Sequence, residues 1–287
     1  MEERIKEEYD AIIVGGGPAG TTTATLLAKR GYQVLLVDSS RKKTRFKSTV
    51  NEKSLEGGEI GESLIPYCNE ILDEVGVWES MREDYKHKGG LLFPNPDGAI
   101  DSEVNFERNF SNPIKKFTLQ VHRPDFDKRL RVHAQNNGVT LLEDRVQDFL
   151  WDGTRIYGIG TNNEKYLSRF VVDASGTGRL AAKQFGWIEK DEAVRAALFG
   201  HLTHTTSDAG KEGYTAIGFH PKSRVWSWFI PLSGEIASVG LVAPKTKIGE
   251  IRKNPDRWRA ELYQNKWFYN HLRNDELRGN EIIACPF

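Results

Sequence analysis

Three glycines near the start of the chain have the spacing of a nucleotide-binding turn. The pattern consists of Gly15, Gly17, Pro18, Ala19 and Gly20. Glycines at these positions allow a tight turn and a close approach of the backbone to a pyrophosphate. A helix that starts there would direct its free N–H groups and the positive end of its dipole at the phosphates. The pattern therefore predicts a site for a dinucleotide.

Asp38 supplies the second part of this pattern, at the end of the next apolar run. A carboxylate at that place accepts hydrogen bonds from a ribose 2′-hydroxyl and repels a 2′-phosphate, so NADP is disfavoured. The residues by themselves do not choose between FAD and NAD.

Histidines and cysteines do not suggest a metal site. His201 and His204 are three residues apart, which on a strand places them on opposite faces, and no acidic ligand stands at a useful offset from them, from His87 or from His122. The two cysteines are far apart and form no CxxC pattern. We expect no bound metal and a reducing compartment.

The elements around the glycine turn follow from apolar runs. Tyr9 to Val14 is a short strand-like run, Thr21 to Arg30 has helical composition, and Gln33 to Val37 is a second buried strand that ends at Asp38. Gly31 follows the helix as a C-terminal cap should. Together these runs predict a βαβ unit that places Asp38 beside the glycine turn.

The rest of the chain predicts more helices and a second sheet. Residues 39–60 are rich in Lys and Arg and predict an exposed loop. The other expected elements are helices over 64–77 and 123–136, short antiparallel strands over 139–172 that end in a buried strand at 170–172, strands over 193–204 and 225–242 in a mostly antiparallel sheet, a helix over 254–278 and a final strand over 281–287.

Composition excludes several classes of protein. The chain has 287 residues, with 40 Lys and Arg against 40 Asp and Glu, so its net charge does not suggest a nucleic-acid partner. The charged N-terminus and the lack of a long apolar run predict neither secretion nor membrane insertion. We expect a cytoplasmic protein.

Three segments resemble one enzyme superfamily. The glycine pattern, Val121–Asp127 and Val172–Gly176 are similar to segments of FAD-dependent enzymes of the p-hydroxybenzoate hydroxylase-like superfamily. This resemblance implies FAD as the cofactor. It also implies that Arg123 lies near the flavin and its diphosphate, that Val146 contacts adenine through its backbone, and that Asp173 belongs to the cofactor site. From the residues alone, Arg123 is equally a member of a surface ion pair.

Two further segments resemble the flavin-dependent halogenases of that superfamily. They are Gly61–Pro66, which carries Glu62 and Ser63, and Trp226–Pro231. The resemblance adds Glu62 and Ser63 to the cofactor-binding residues. Trp226 and Trp228 are two residues apart, so on a strand both indoles face one side and form a wall. The resemblance places this wall beside the flavin pocket, whereas the spacing alone fits two core residues equally well.

Lys88 is the candidate catalytic residue. The segment Tyr85–Gly90 resembles the F-x-x-K-x-G segment of halogenases that act on phenol and pyrrole substrates, with Tyr in place of Phe and with Lys86 as a rival lysine. In such enzymes reduced FAD, oxygen and halide give hypohalous acid, which the lysine captures or hydrogen-bonds. Without the resemblance, a lysine in this basic run is more simply a solvated side chain.

These observations predict an α/β fold with a Rossmann-like, three-layer FAD-binding domain and a second, mostly antiparallel sheet domain. The expected boundaries are 1–190 for the first, interrupted at about 39–102, and 191–287 for an incomplete substrate domain. The expected function is halogenation of a free aromatic or carrier-bound substrate, with halide and with reduced flavin from a separate reductase.

Three alternatives stay open. A monooxygenase and a reductase of geranylgeranyl-reductase type share much of this scaffold. A degenerate or truncated flavoprotein without catalysis is the third, because the family continues with a Gly-Asp segment that this chain lacks.

Overall fold

The structure is a computed structural model that describes most of the chain in two compact units. The described residues are 5–39, 60–162, 164–189, 195–203, 211, 213–220, 224–232, 235–252, 254–273, 276–277 and 283–286. The first unit contains those of 1–43, 74–77 and 125–190, and the second unit contains those of 44–73, 78–124 and 191–287. The expected loop at 39–60 lies outside the described residues except for its two ends. The functional domain boundaries stay a prediction.

Helices and strands alternate through the first part of the chain and strands dominate later. The helices are α1 Pro18–Lys29, α2 Tyr67–Val75, α3 Trp78–Asp84, α4 Phe106–Asn109, α5 Arg123–Asn136, α6 Leu180–Gln184, α7 Lys245–Arg252, α8 Pro255–Leu262 and α9 Lys266–Leu272. The strands are β1 Ile5–Val14, β2 Val34–Asp38, β3 Lys86–Lys88, β4 Gly90–Pro94, β5 Ile100–Asn105, β6 Thr118–Gln120, β7 Thr140–Glu143, β8 Asp148–Trp151, β9 Ile156–Gly160, β10 Lys165–Asp173, β11 Arg195–Thr203, β12 Thr215–His220, β13 Val225–Pro231, β14 Ile236–Pro244, β15 Glu276–Leu277 and β16 Ile283–Pro286.

The first unit is built on a sheet with the strand order β7-β2-β1-β10-β9-β8. Its four strands β7, β2, β1 and β10 are parallel, and β9 and β8 continue it antiparallel. Alternate residues of β1 and β2 lie in two separate clusters. Ile12 and Leu35 pack with residues of the 142–185 region, whereas Ile13 and Leu36 pack with residues of α1 and α5. Both faces are therefore covered, which gives the expected three-layer arrangement.

The second unit is built on a larger sheet with the order β15-β11-β14-β13-β12-β4-β5, and β16 also pairs with β11. All of these pairs are antiparallel except β12 with β4. One face packs on helices α7 to α9 through residues such as Phe229, Trp258 and Phe268. The opposite face carries Phe199, Trp228 and their neighbours. The expected α/β fold with a second, mostly antiparallel sheet is confirmed.

Part of the expected antiparallel set at 139–172 is wrong. β7 is parallel to β2 because α5 carries the chain back across the sheet, and β10 is parallel to β1. Phe170, expected to be buried, is 67% exposed. The reason is that β9 pairs with β10 only over Lys165–Leu167, so β10 has a neighbour on one side alone at Phe170.

Two expected helices have different bounds. α2 begins only at Tyr67, because Leu64 donates its backbone N–H to Leu119 instead of entering the helix. The single helix expected over 254–278 is divided into α8 and α9, because the Asn265 side chain caps the second helix. Within the described ranges, no helix is long and apolar enough to cross a membrane.

Candidate functional site

The glycine turn between β1 and α1 admits no side chain at two of its positions. Gly15 has a φ of +112°, and a Cβ there would lie 2.4 Å from the carbonyl oxygen of Ala174. A Cβ at Gly20 would lie 1.9 Å from the carbonyl oxygen of Gly15. At Gly17, the N-cap of α1, a Cβ would meet no described atom within 4 Å. The helix start therefore offers open space next to free backbone N–H groups, as a pyrophosphate site requires.

Asp38 ends the strand beside the glycine turn. Val14 of β1 pairs with Val37 of β2, so the turn and Asp38 leave the sheet at the same edge. A Cβ at Gly16 would lie 2.6 Å from Oδ2 of Asp38, which places this oxygen against the turn. The sequence prediction thus put Asp38 where the structure has it.

Asp173 and Val146 also lie in the first unit, where both make contacts within the protein. Asp173 ends β10, and its two carboxylate oxygens accept the backbone N–H groups of Ser175 at 2.9 Å and Ala181 at 2.8 Å. This closes the turn after the strand. Val146 is a buried member of the hydrophobic cluster on one face of the sheet. Their roles in cofactor binding stay predictions.

In the second unit, residues 60–64 form an extended segment beside β6. Leu64 donates its N–H to the carbonyl of Leu119 at 3.1 Å, and Val121 donates to the carbonyl of Glu62 at 2.7 Å. We call this stretch the 60–64 segment. It contains the predicted site residues Glu62 and Ser63. Two other predicted site residues, Arg123 and Lys88, donate hydrogen bonds to its backbone.

Glu62 is buried in a contact that the sequence does not reveal. Its Oε1 lies 2.7 Å from Nε2 of His201, and the two side chains are only 3% and 8% exposed. His201 is also near His122, with the ring centroids 6.4 Å apart. A buried carboxylate is costly without a partner, so His201 is what allows Glu62 to lie here.

Ser63 joins a short chain of polar side chains. Its hydroxyl lies 2.9 Å from the hydroxyl of Thr215, which also accepts a hydrogen bond from Nε2 of Gln120 at 2.8 Å. Gln120 is buried and donates to the carbonyl of Gly213 as well. These contacts connect the 60–64 segment to β6 and β12.

Arg123, the first residue of α5, reaches the start of the same segment. Its guanidinium donates to the carbonyl oxygen of Ile60. A Cβ at Gly61 would lie 2.9 Å from the same guanidinium nitrogen, so the glycine leaves room for the arginine. Arg123 is therefore a member of this cluster and not a freely solvated cation.

Lys88 ends β3 and is almost fully buried, with 2% exposure. Its Nζ donates to the carbonyl oxygen of Leu64 at 2.8 Å and lies 5.4 Å from the centre of the Phe106 ring. Burial lowers the pKa of Lys88 from 10.5 to about 8, and the nearby Cys68 opposes this shift in part. Burial thus favours the unprotonated amine.

The other basic residues of this run do not share that environment. Lys86 is half-buried, and His87 is exposed and stacks on Phe117 with ring centroids 4.2 Å apart. Lys88 alone among the three is buried. The structure thereby distinguishes Lys88 from its rival Lys86, which the sequence did not do.

Trp226 and Trp228 lie on one face of β13, with ring centroids 5.8 Å apart. Trp228 is nearly buried, contacts Phe199 across the sheet and lies over Gly240, where a Cβ would come within 2.3 Å of the indole. Phe199 also contacts His201, the partner of Glu62. The tryptophan wall and the 60–64 segment are thus joined through aromatic contacts inside the second unit.

Residues 8–262 match the model of a protein family described as the FAD binding domain. The chain belongs to this family. The residues of the first unit fit FAD, because the open space at Gly17, the close packing at Gly15 and Gly20, and Asp38 at the same sheet edge suit an ADP group. The predicted cofactor is confirmed.

The chain is also similar to flavin-dependent halogenases. It is 30% identical over 308 residues to the 1H-pyrrole-2-carbonyl-[peptidyl-carrier protein] chlorinase of Pseudomonas fluorescens, covering 98% of this chain and 64% of that protein. The structure matches the myxobacterial chondrochloren halogenase CndH with a TM-score of 0.80 and 25% identity, over 98% of this chain and 64% of that one. The predicted resemblance to this halogenase branch is confirmed.

A third match is to a flavoprotein/dehydrogenase from Cytophaga hutchinsonii. It has a TM-score of 0.79 and 30% identity, over 97% of this chain and 66% of that one. The chain spans less than two thirds of the length of the chlorinase, and only 44% of the tryptophan 2-halogenase of Chondromyces crocatus.

Three residues of these clusters, Phe199, His201 and Arg131, do not belong to any motif of the sequence. Phe199 and His201 share one face of β11, and the sequence suggests no role for His201 except that of a metal ligand. Arg131 of α5 lies near the glycine turn. The period of two along β11 was the available signal for Phe199 and His201, whereas nothing in the sequence singles out Arg131. His204 lies outside the described residues.

Proposed function

We propose that this protein is an FAD-dependent halogenase that acts on an aromatic or other electron-rich substrate. The observation that carries the proposal is the burial of Lys88 against the 60–64 segment, in a chain of the FAD binding domain family. Most lysines are exposed and protonated, whereas burial favours the unprotonated amine of Lys88. Such an amine can react with an electrophilic halogen species.

The first unit would bind the ADP half of FAD. Backbone N–H groups at the start of α1 would hold the pyrophosphate, and Asp38 would accept hydrogen bonds from the ribose. Arg123, Glu62, Ser63, Val146 and Asp173 complete the proposed cofactor-binding set. Bound FAD, once reduced, supplies the electrons with which oxygen and halide yield hypohalous acid.

Lys88 would handle the halogen. Its unprotonated amine can attack hypohalous acid at the halogen, which forms an N–halogen bond and releases water, and an electron-rich ring can then take the halogen and restore the amine. In its protonated form Lys88 would instead donate a hydrogen bond to the oxidant. The carbonyl of Leu64 accepts an N–H in either case and so fixes the position of Nζ.

The substrate and partners belong to the same proposal. The chlorinase relative is named for a carrier-bound pyrrole, which supports either a free aromatic or a carrier-bound substrate here. Trp226 and Trp228 would form one wall of its pocket. We also propose that a separate reductase supplies reduced flavin and that the protein is cytoplasmic, as the sequence predicts.

A direct test supplies the protein with reduced FAD, oxygen, bromide and a phenol, and measures brominated and hydroxylated product. We expect bromophenol, and we expect Lys88→Ala to lower its yield by at least about 100-fold while oxygen consumption continues. Lys86→Ala, two residues away on the same strand, is the matched control and should brominate normally.

Other results would change the assignment. A hydroxylated product without bromine would favour the monooxygenase. A reduced substrate would favour the reductase, an alternative that the similarity to the flavoprotein/dehydrogenase of Cytophaga hutchinsonii supports. Equal bromination by the wild type and Lys88→Ala would remove Lys88 from the mechanism.

A further inference from the structure

Arg131 of α5 makes two contacts at the glycine turn of the first unit. One of its guanidinium nitrogens lies 3.2 Å from the carbonyl oxygen of Gly16, to which it donates, and 3.7 Å from Oδ2 of Asp38. These contacts link a helix to the turn and to the acidic residue at the end of the adjacent strand. None of the motifs of the sequence includes Arg131.

The two oxygens of Asp38 have different surroundings. Oδ2 faces both Gly16 and Arg131. Within the described part of the chain, Oδ1 accepts no hydrogen bond. Oδ2 thus forms an ion pair with Arg131 at 3.7 Å, a distance too long for a hydrogen bond, and Oδ1 is the oxygen that can accept from a ligand.

We propose that Arg131 is a cofactor-positioning residue, which holds Asp38 and the glycine turn in the arrangement that receives the adenosine of FAD. Arg131 acts through Asp38: it fixes Oδ2, so that Oδ1 is directed to the ribose hydroxyl. This inference rests on the proposed function only for the placement of the adenosine at Asp38.

The physical advantage is preorganisation. An unrestrained aspartate loses rotamer freedom when it binds a ribose, and the free glycine turn would have to adopt its bound form at the same time. A guanidinium suits this role because its donors have a fixed planar geometry and its charge is permanent. Both side chains are partly exposed, 32% for Arg131 and 27% for Asp38, so we expect their ion pair to contribute only moderately to the affinity for FAD.

The same helix provides a matched control. Arg129 is two residues away, is similarly exposed at 37%, and pairs with Asp125 on its own helix at 3.0 Å. Loss of Arg129 removes one positive charge and the ion pair with Asp125 from α5. It therefore controls for charge and for helix stability.

The test measures the dissociation constants of FAD and of ADP for the wild type, Arg131→Met and Arg129→Met, together with their thermal unfolding. We expect Arg131→Met to weaken both ligands by about tenfold and Arg129→Met to change them by less than about twofold. In Asp38→Asn, a further Arg131→Met should have little effect, because the two residues act as one unit. If Arg131→Met does not fold, Arg131→Gln is measured by the same criteria.

Three results would overturn the role of Arg131. They are equal effects of the two arginine substitutions, a loss of FAD affinity with ADP affinity unchanged, and additive effects of Asp38→Asn and Arg131→Met. A wild-type protein that binds neither ADP nor FAD would instead refute the proposed cofactor site, so the two failures are distinguishable.

Discussion

The glycine turn of the first unit and the 60–64 segment of the second differ in how their residues are held. The turn depends on backbone atoms, because a Cβ at Gly20 would meet the carbonyl oxygen of Gly15 and a Cβ at Gly15 would meet that of Ala174. The 60–64 segment depends on side chains from distant parts of the chain. Glu62 meets His201 across 139 positions, and Ser63 meets Thr215 across 152.

This difference predicts different responses to substitution. A change in the turn acts on the backbone and has no route of relaxation except a shift of a strand or helix. A change in the 60–64 segment removes one polar partner and leaves the other one buried. The following predictions test that contrast, in order of decreasing effect.

The largest effect is expected at Gly20. The Cβ of Gly20→Ala would lie 1.9 Å from the backbone oxygen of Gly15, so α1 or the turn must move. We expect a loss of about 4 kcal/mol or more in unfolding free energy, measured by urea denaturation.

Gly17→Ala is the control for this prediction, because its Cβ meets no described atom within 4 Å. It should leave stability within about 1 kcal/mol of the wild type and weaken FAD binding, since the methyl group enters the space proposed for the pyrophosphate. Equal loss of stability in both variants would contradict the geometry of the turn.

The next effect is expected at His201. His201→Leu leaves the Glu62 carboxylate buried without its partner, and we expect a loss of about 3 to 4 kcal/mol. Glu62→Leu with His201→Leu should lose much less than the sum of the two single changes, because no unpaired group remains. His201→Gln, which retains a donor, should recover part of the loss.

A double-mutant cycle measured by denaturation separates these effects. His220→Leu is the control, because His220 is a buried histidine whose Nε2 lies 2.9 Å from the hydroxyl of Ser227 and not from a carboxylate. Additivity between the changes at Glu62 and His201 would show that the 2.7 Å contact carries no energy.

The smallest effect is expected from the titration of Lys88. Because burial lowers the pKa of Lys88 to about 8, the unfolded chain binds a proton that the folded protein does not between about pH 8 and 10.5. Stability should therefore rise with pH in this window, by up to about 3 kcal/mol relative to Lys88→Met, and the difference should be constant below pH 8.

Denaturation of both proteins from pH 7 to 10.5 measures this difference, with Lys86→Met as the control. A difference that does not change with pH would mean that Lys88 titrates as it does in the unfolded chain. Lys88 would then lack the desolvation on which the halogenase proposal depends.

Much of the fold could be predicted because the signals were local. The βαβ unit, α5 from Arg123 to Asn136 and the alternating strands of the second sheet follow from apolar periodicity and glycine positions. The errors arose where tertiary pairing decides. Phe170 lies in an apolar run typical of a buried strand, but β9 does not pair with β10 at this residue. The single helix expected over 254–278 is divided because the Asn265 side chain caps α9.

The sequence predicted which residues belong to the candidate site but not which contacts they make. The sequence and its resemblance to a family selected Lys88, Glu62 and Arg123, but they could not show that all three meet at the 60–64 segment. Composition favoured a solvated Lys88, since nothing local distinguishes it from Lys86. Its burial follows from packing against the carbonyl of Leu64 and the ring of Phe106, and that packing exists only in the folded unit.

The sequence by itself determined the dinucleotide turn, the acidic residue at the end of β2 and the alternation that places Trp226 and Trp228 on one face. Each of these depends on backbone geometry over a few residues, which residue type and spacing dictate directly. The tertiary structure decided the partners: His201 for Glu62, Arg131 for Asp38 and Leu64 for Lys88. Electrostatic environment depends on which groups lie within a few ångströms, and for most of these residues such groups are far away along the chain.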